Sequence, residues 1–373
     1  MRIDSLYVHI PFCLRKCNYC DFVSFPVAAC SGFYAAYAEL LEKELALWQD
    51  QADLSRLTTV YFGGGTPSLM EPEAICRLLA LVPKVAECTL EANPETVDGA
   101  RLAAFRAAGV NRLSLGAQSF DRDLLAAMGR GHDGERTAQA VRDAREAGFD
   151  NISLDLIYGL PGQTIGQWRD SLERAVALCP EHISLYGLTI HPDTPWGRAL
   201  NAGDLAAPDD DLAADMLELA MDYLPRQGFA QYEIANFARP GRESRHNCAY
   251  WQRDNYLGLG VAAASCLNDH RFANTPEPRV YEEAIREGRL PWTEDEHYDI
   301  EQIMGEAMFL GLRLLRGVDV AAYEQRYGVN PLKRFRGELW QLQNQGLIEY
   351  DEGNIRLTPK GVALGNLVFE QFV

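Results

Sequence analysis

Cys13-Leu14-Arg15-Lys16-Cys17-Asn18-Tyr19-Cys20 is the stretch on which the reading of this chain turns. The spacing is CxxxCxxC. It follows an apolar run, Leu6-Tyr7-Val8-His9-Ile10, that predicts a strand. Thiolates are soft ligands suited to iron–sulfur clusters and to zinc. A closed zinc site or a fully ligated cubane takes four protein ligands. Here Asp21 and Phe22 follow Cys20, and the next cysteine is Cys30. Three ligands on a 4Fe–4S cluster leave one iron open, and an open iron can chelate a small molecule. Cys13, Cys17 and Cys20 are therefore the expected cluster ligands. Cys76, Cys88, Cys179 and Cys266 read as small buried hydrophobes.

Outward from this loop, the composition sets bounds. The 373 residues can hold one large domain and a smaller one. A hydrophobic fraction of 47% and a charged fraction of 24% are ordinary for a soluble protein. The nine cysteines are an odd number with no secretory pattern, and Met1-Arg2-Ile3-Asp4 runs straight into the first strand. No apolar run approaches the roughly 20 residues of a membrane span. A reducing cytoplasm is the expected location, because cluster thiolates must escape disulfide formation. The net charge of −18 argues against non-specific binding to nucleic acid or anionic membrane.

Apolar runs of strand length recur, separated by helical patterns. Phe33 to Trp48 predicts a helix. Thr58 to Phe62 is a second strand ending in Gly63-Gly64-Gly65-Thr66-Pro67, followed by a helix over Glu71 to Leu81. Cys88 to Pro94, Arg112 to Gly116, Ile152 to Tyr158 and His182 to Leu188 complete six strands. Alternation of this kind argues for parallel βαβ units. The unusual residues all fall at the C-terminal strand ends: the cysteine loop, the glycine run, Glu91, Gln118, Asp155 and Tyr186 to Thr189. That face is where parallel α/β barrels build chemistry. The fold class is α/β, with residues 1–200 forming a partial six-stranded (β/α) barrel. Glycines in the run let backbone approach a ligand closely. Taken singly, Glu91 and Asp155 equally suit turn caps, and Arg130 a solvated helix end.

Together these residues resemble the radical S-adenosylmethionine (SAM) superfamily. The nearest likeness is to the branch holding oxygen-independent coproporphyrinogen oxidase and the HemW-type heme chaperones. The motifs that carry it are Tyr7-Val8-His9-Ile10-Pro11-Phe12-Cys13, Tyr61 to Pro67, Asp155 to Pro161, His246-Asn247-Cys248-Ala249-Tyr250-Trp251 and Tyr256 to Gly260. The resemblance implies a radical SAM barrel. Tyr7 would sit beside SAM, with Gly64, Gly65 and Thr66 against its methionyl part. Glu91, Gln118, Arg130 and Asp155 would supply the remaining polar contacts, and Thr189 and Ala264 fall near further SAM positions. Carboxylates can accept from the amine or ribose, and Arg130 can pair with the carboxylate. The cluster would reduce the sulfonium and release a 5′-deoxyadenosyl radical. His246, Tyr250 and Trp251 match an HNxxYW motif associated with heme. An imidazole is a good axial ligand, and two aromatics offer flat apolar surface. A histidine held at a loop by two aromatics is the plainer alternative. Cys248 reads as a second soft ligand or a buried thiol, and His9 as structural.

Two departures separate the chain from the oxidase pattern. The oxidase loop carries a further cysteine two residues after the third, where this chain has Phe22. The oxidase also has an N-terminal extension, whereas Tyr7 stands close to Met1. The expected function is therefore a heme chaperone that binds a 4Fe–4S cluster, SAM and heme and delivers heme to apo-hemoproteins. Whether such recipients include membrane-associated complexes stays open. An oxidase-like radical SAM enzyme is the alternative, and enzymatic cleavage of SAM, with an electron donor, stays open, as does a homodimer. Residues 201–299 read as a helical and loop extension carrying the HNxxYW motif, with a surface connection at Ala199 to Leu212 and a helix over Asp209 to Gln227. Residues 300–373 read as a winged-helix-like α+β domain: helices over Ile300 to Leu314, Val320 to Tyr327 and Pro331 to Gln345, then a hairpin of Leu347 to Tyr350 with Ile355 to Thr358. Residues 301–373 carry eight Lys and Arg against nine Asp and Glu. A DNA reader would show a basic face, so a lid, substrate wall or docking module is expected instead, and no nucleic-acid partner.

Overall fold

The computed structural model describes residues 1–49 and 51–373. Six parallel strands form its centre: β1 (Ser5–Ile10), β2 (Thr59–Gly64), β3 (Glu87–Ala92), β4 (Arg112–Gln118), β5 (Ile152–Tyr158) and β6 (His182–Gly187). They lie side by side in chain order. Their near-continuous burial is what parallel strands covered on both faces require. Helices α1 (Ser31–Gln49), α2 (Pro72–Ala80), α3 (Gly99–Ala108), α4 (Arg122–Met128), α5 (Gly134–Glu146) and α6 (Ile165–Ala177) make the crossovers. Short polar side chains start several of them. Asp98, Asp121 and Asp133 accept from backbone N–H groups of the first turn, and Thr164 with Gln167 forms a capping box.

The extension over residues 201–299 is not the helical and loop segment expected. Beside helices α7 (Asp210–Arg226), α8 (Arg245–Trp251) and α9 (Pro278–Arg286), it supplies six strands to the same sheet. Next to β6 lie β8 (Asn236–Ala238) and then β7 (Ala230–Gln231), both antiparallel. Beside β1 lies the parallel β9 (Tyr256–Leu259), followed by antiparallel β10 (Ala264–Leu267), β11 (His270–Asn274) and β12 (Trp292–His297). The extension also shares the barrel's core. Trp48 of α1 stacks on Phe272 at 5.6 Å and on Trp292 at 5.7 Å. Residues 1–299 are thus one packed unit, because an open six-stranded sheet has two edges to cover.

The C-terminal residues have their own core, built on Met304, Met308, Leu312, Leu339 and Ile355. Helices α10 (Ile300–Arg313) and α11 (Val320–Tyr327) match expectation, and the third splits into Pro331–Arg334 and Arg336–Asn344 at Phe335. Ile348–Tyr350 and Asn354–Leu357 pair antiparallel as the hairpin. Buried charge joins this module to the extension: Glu306 of α10 accepts from Arg253 and pairs with Arg271. Cys88 and Cys266 are buried as expected, whereas Cys76 and Cys179 are exposed, on α2 and just beyond α6. Among the described residues no helix is long and apolar enough to cross a membrane.

Candidate functional site: the strand-end cavity

The C-terminal ends of β1 to β6 open into a cavity of about 440 Å³. Cys13, Cys17 and Cys20 line it together with Gly64, Gly65, Thr66, Glu91, Gln118, Arg130, Asp155 and Thr189. Residues as far apart in the chain as Cys13 and His191 thus meet in one space. Tyr7 and Ala264 are outside this lining. Tyr7 lies one layer down, stacked on Tyr61 at 6.2 Å, and Ala264 is exposed on β10.

The glycine run is shaped by the cluster loop itself. Gly64 has φ +112°, and a β-carbon there would stand 2.5 Å from the His9 ring. A β-carbon on Gly65 would stand 2.6 Å from the carbonyl oxygen of Phe12. The Gly65 N–H instead donates to Ile10 O at 2.8 Å. Any side chain at either position would push the β2 turn off β1 and displace the cysteine loop that follows. Thr66 then sets its hydroxyl 3.7 Å from Cys13 Sγ, and Asn93 donates to that hydroxyl at 3.1 Å. His9 ties the loop down from the other side. Its Nε2 faces Val23 O at 3.0 Å, which places the proton there, so Nδ1 accepts from the Tyr7 hydroxyl at 2.9 Å.

Burial raises both acids. Burial pushes Glu91 up to about 7; the Asp155 charge adds to this, against hydrogen bonds from the Tyr61 hydroxyl at 2.7 Å and the Gly64 N–H at 3.1 Å. Burial also raises Asp155, which accepts from Ser114 at 2.9 Å. Burial raises the Cys13 and Cys20 thiols, so a cation must supply the field that makes them thiolates. The opposite wall is cationic. Arg130 donates from Nη1 to Asn93 Oδ1 at 2.8 Å, while its buried Nε has no partner. Gln118 holds a φ of +62°, and its buried Oε1 is likewise unpartnered. Orphaned buried polar atoms of this kind are groups a ligand can satisfy. An amine, a carboxylate and ribose hydroxyls match an acceptor, a guanidinium and two acids, and three cysteines match a cluster with an open iron. The donor set therefore fits both SAM and a 4Fe–4S cluster.

The HNxxYW motif is elsewhere. His246 is 1% exposed. Its Nδ1 lies 2.8 Å from the Thr59 hydroxyl and its Nε2 2.8 Å from the Tyr250 hydroxyl. Burial, reinforced by the Arg112 charge, takes its pKa down to about 3, so it is neutral. The Glu87 carboxylate accepts from the backbone N–H groups of Arg245 and His246 at 3.0 Å each. In this arrangement both imidazole nitrogens are engaged, and the motif clasps the N-terminal ends of β2 and β3. Trp251 points toward the C-terminal module, where the Arg313 guanidinium lies 4.2 Å from its ring centre. Cys248 is a half-buried thiol beside these residues. Sequence reasoning passed over Asn93 and Ser114 as site residues, and marked Tyr186 only as part of the strand-end segment Tyr186 to Thr189. Their signal was available, since each lies in or just beyond a barrel strand already marked by a neighbouring acid or turn.

The Radical SAM superfamily matches residues 7–175, and the HemN C-terminal domain matches residues 298–364. The chain is 36% identical to heme chaperone HemW of Bacillus subtilis (strain 168), over 100% of this chain and 99% of that protein. It is 35% identical to the mitochondrial radical S-adenosyl methionine domain-containing protein 1 of Danio rerio, over 96% of this chain and 84% of that protein. Coproporphyrinogen III oxidase (HemN) of Escherichia coli superposes with a TM-score of 0.84 at 26% identity, covering 100% of this chain and 90% of that one. With its whole length aligned to such relatives and its strand-end cavity built around CxxxCxxC, this chain belongs to the HemW branch of the radical SAM superfamily, the family that brings an iron–sulfur cluster together with SAM.

Proposed function

We propose that this protein is a heme chaperone that binds a 4Fe–4S cluster, SAM and heme and passes heme to apo-hemoproteins. The observation that carries the proposal is the end-to-end likeness to heme chaperones, 36% identical along all of this chain. Cys13, Cys17 and Cys20 would hold the cluster. Arg130 and Gln118 would take the carboxylate and amine of SAM, Gly64 to Thr66 its methionyl part, and Glu91 with Asp155 the remaining polar groups, with Thr189 at the rim. When bound, the cluster supplies a one-electron reductant, fed by an external donor if SAM is cleaved. The chain's own part is to orient SAM, hold its charges in a low-dielectric cavity and exclude water. Nine free cysteines suit a reducing compartment such as the cytoplasm.

The test is anaerobic titration of cluster-reconstituted protein with heme, followed by transfer to an apo-hemoprotein monitored by absorbance. Saturable binding and transfer support the chaperone; binding indistinguishable from that to an unrelated acidic protein overturns it. His246→Ala belongs in the same series. A direct ligand would alter the heme absorption band, whereas a clasp would lower thermal stability and leave the band in place.

A second reading has its own observation: the likeness to HemN, at a TM-score of 0.84, leaves room for oxidase chemistry. Phe22, in place of a fourth cysteine, weighs against it. Coproporphyrinogen-dependent release of 5′-deoxyadenosine and carbon dioxide would establish it, and absence of both with cluster and SAM bound would retire it.

A further inference from the structure

Arg313 ends α10 in an unusual setting. Its guanidinium lies between two aromatic rings, 4.2 Å from the centre of Trp251 and 5.5 Å from that of Phe369. Among the described residues it makes no side-chain hydrogen bond and no ion pair, and its buried Nε has no partner. Glu233 is the acid that acts on it through space, yet Glu233 spends one oxygen on the Ala235 N–H, and its other oxygen is itself unpartnered. A largely desolvated cation held by two rings, with an acid acting on it only through space and no acceptor on its guanidinium, has donors free for a further anion.

A cleft of about 390 Å³ lies against this guanidinium, between the barrel mouth and the C-terminal module. Ile234, Leu364, Leu367 and Phe369 give it apolar walls, and Tyr186 closes the barrel side. Leu364 is 41% and Leu367 51% exposed, so the apolar surface is open to a ligand. Tyr186 and Gly187 line both this cleft and the cluster cavity, which makes the two spaces neighbours. Apolar walls with a single unpaired guanidinium select a flat or elongated apolar body that carries a carboxylate.

On the chaperone reading, on which this inference rests, heme is such a body. We propose that the cleft is the heme site and that Arg313 is its propionate anchor. The macrocycle lies against Leu364, Leu367 and Phe369, and one propionate pairs with the guanidinium. Trp251 takes part without touching heme: it holds the cation in place. This gives the HNxxYW motif a role in heme binding while His246 keeps both of its hydrogen bonds.

The test uses full-length, cluster-reconstituted protein titrated anaerobically with hemin and with hemin dimethyl ester, whose propionates carry no charge. Wild-type protein should bind hemin at least about tenfold more tightly than the ester. Arg313→Gln should weaken hemin binding about tenfold and erase the preference over the ester, and Arg313→Lys should restore most of it. Leu367→Asp, on an exposed wall, should weaken both ligands while cluster absorbance and circular dichroism stay unchanged. Equal affinity of wild-type protein for hemin and ester, or unaltered hemin binding in Arg313→Gln or Leu367→Asp, overturns the site while leaving the chaperone reading intact. Failure of wild-type protein to bind hemin overturns both. The ester comparison needs no variant, so it decides the matter even if Arg313→Gln does not fold.

Discussion

Removing the Glu306 carboxylate should loosen the C-terminal module from the barrel. Glu306 is 8% exposed and stands between Arg253, 4% exposed and 2.6 Å away, and Arg271, 28% exposed and 2.5 Å away. Arg253 has one other acceptor, Asn268 O at 2.7 Å, and its Nη2 already lacks a partner. Glu306→Ala would leave a buried guanidinium with no countercharge, and breaking a buried pair in this way costs about 3–5 kcal/mol. Arg271 can turn toward water, so its share of that cost is small. Glu306→Gln also removes the countercharge but keeps an acceptor of the same shape for the guanidinium, so it should cost less than Ala, at most about 1.5–3 kcal/mol, the worth of a hydrogen bond to a charged group. The order of stability should therefore be wild type, Gln, Ala. Replacing the pair together, as Arg253→Met with Glu306→Leu, should recover much of the loss, because no charge is then stranded. Urea unfolding followed by tryptophan fluorescence measures each step, and limited proteolysis shows whether residues 300–373 come free first. If Glu306→Ala and Glu306→Gln both lie within about 0.5 kcal/mol of wild type, the ordinary range of surface substitutions, the argument from desolvation is wrong.

Three further outcomes are expected. Cys17→Ala should lose the broad visible absorbance of the reconstituted cluster, and full iron content in that variant would remove Cys17 from the ligand set. Arg130→Ala should weaken SAM binding by roughly ten- to a hundredfold, the worth of a charge-assisted contact, with calorimetry as the measure; unchanged affinity would place the SAM carboxylate elsewhere. Glu44, wholly buried, is pushed up to about 7 by burial, against hydrogen bonds from Tyr281, the Gly260 N–H and Asn274. Its pKa is thus higher folded than unfolded. The stability it contributes is complete below about pH 4.5 and is lost as pH rises through about 7, a change of roughly 3 kcal/mol. Glu44→Gln should flatten, but not abolish, the fall in stability of the cluster-free protein between pH 5 and 8, since Glu91 titrates over the same range. An unchanged slope would refute the assignment.

Much of the barrel was legible because its physics is local. Strands buried on both faces read as apolar runs, and the chain marks each C-terminal strand end with a polar or glycine signal, so Cys13, Gly64, Glu91, Gln118 and Asp155 could be placed at one mouth. The extension was not legible for the converse reason. Its outermost strand, Trp292–His297, is almost wholly exposed and carries three acids in its six residues, and β7 is two residues long, so neither shows a strand period. The fate of His246 was hidden in a different way. Its partner Thr59 lies 187 residues away in sequence, and nothing near the motif announces that contact. The unpaired state of Arg313 is similarly a property of packing, since an arginine at a helix end ordinarily reads as a solvated charge.

The pairing of β1 with β9 has a consequence for how the protein is made. Ser5 meets Tyr256 across that ladder, and the cysteine loop hangs from the end of β1. During synthesis at about 5–20 residues per second, β1 can dock on β2 within seconds but must wait roughly 12–50 seconds for its other neighbour. Throughout that interval the nascent barrel presents an unpaired apolar strand edge, with three free thiols at its tip. The period of greatest exposure to aggregation and to oxidation is therefore written into the strand order, and it ends only when Tyr256–Leu259 leaves the ribosome and closes the edge.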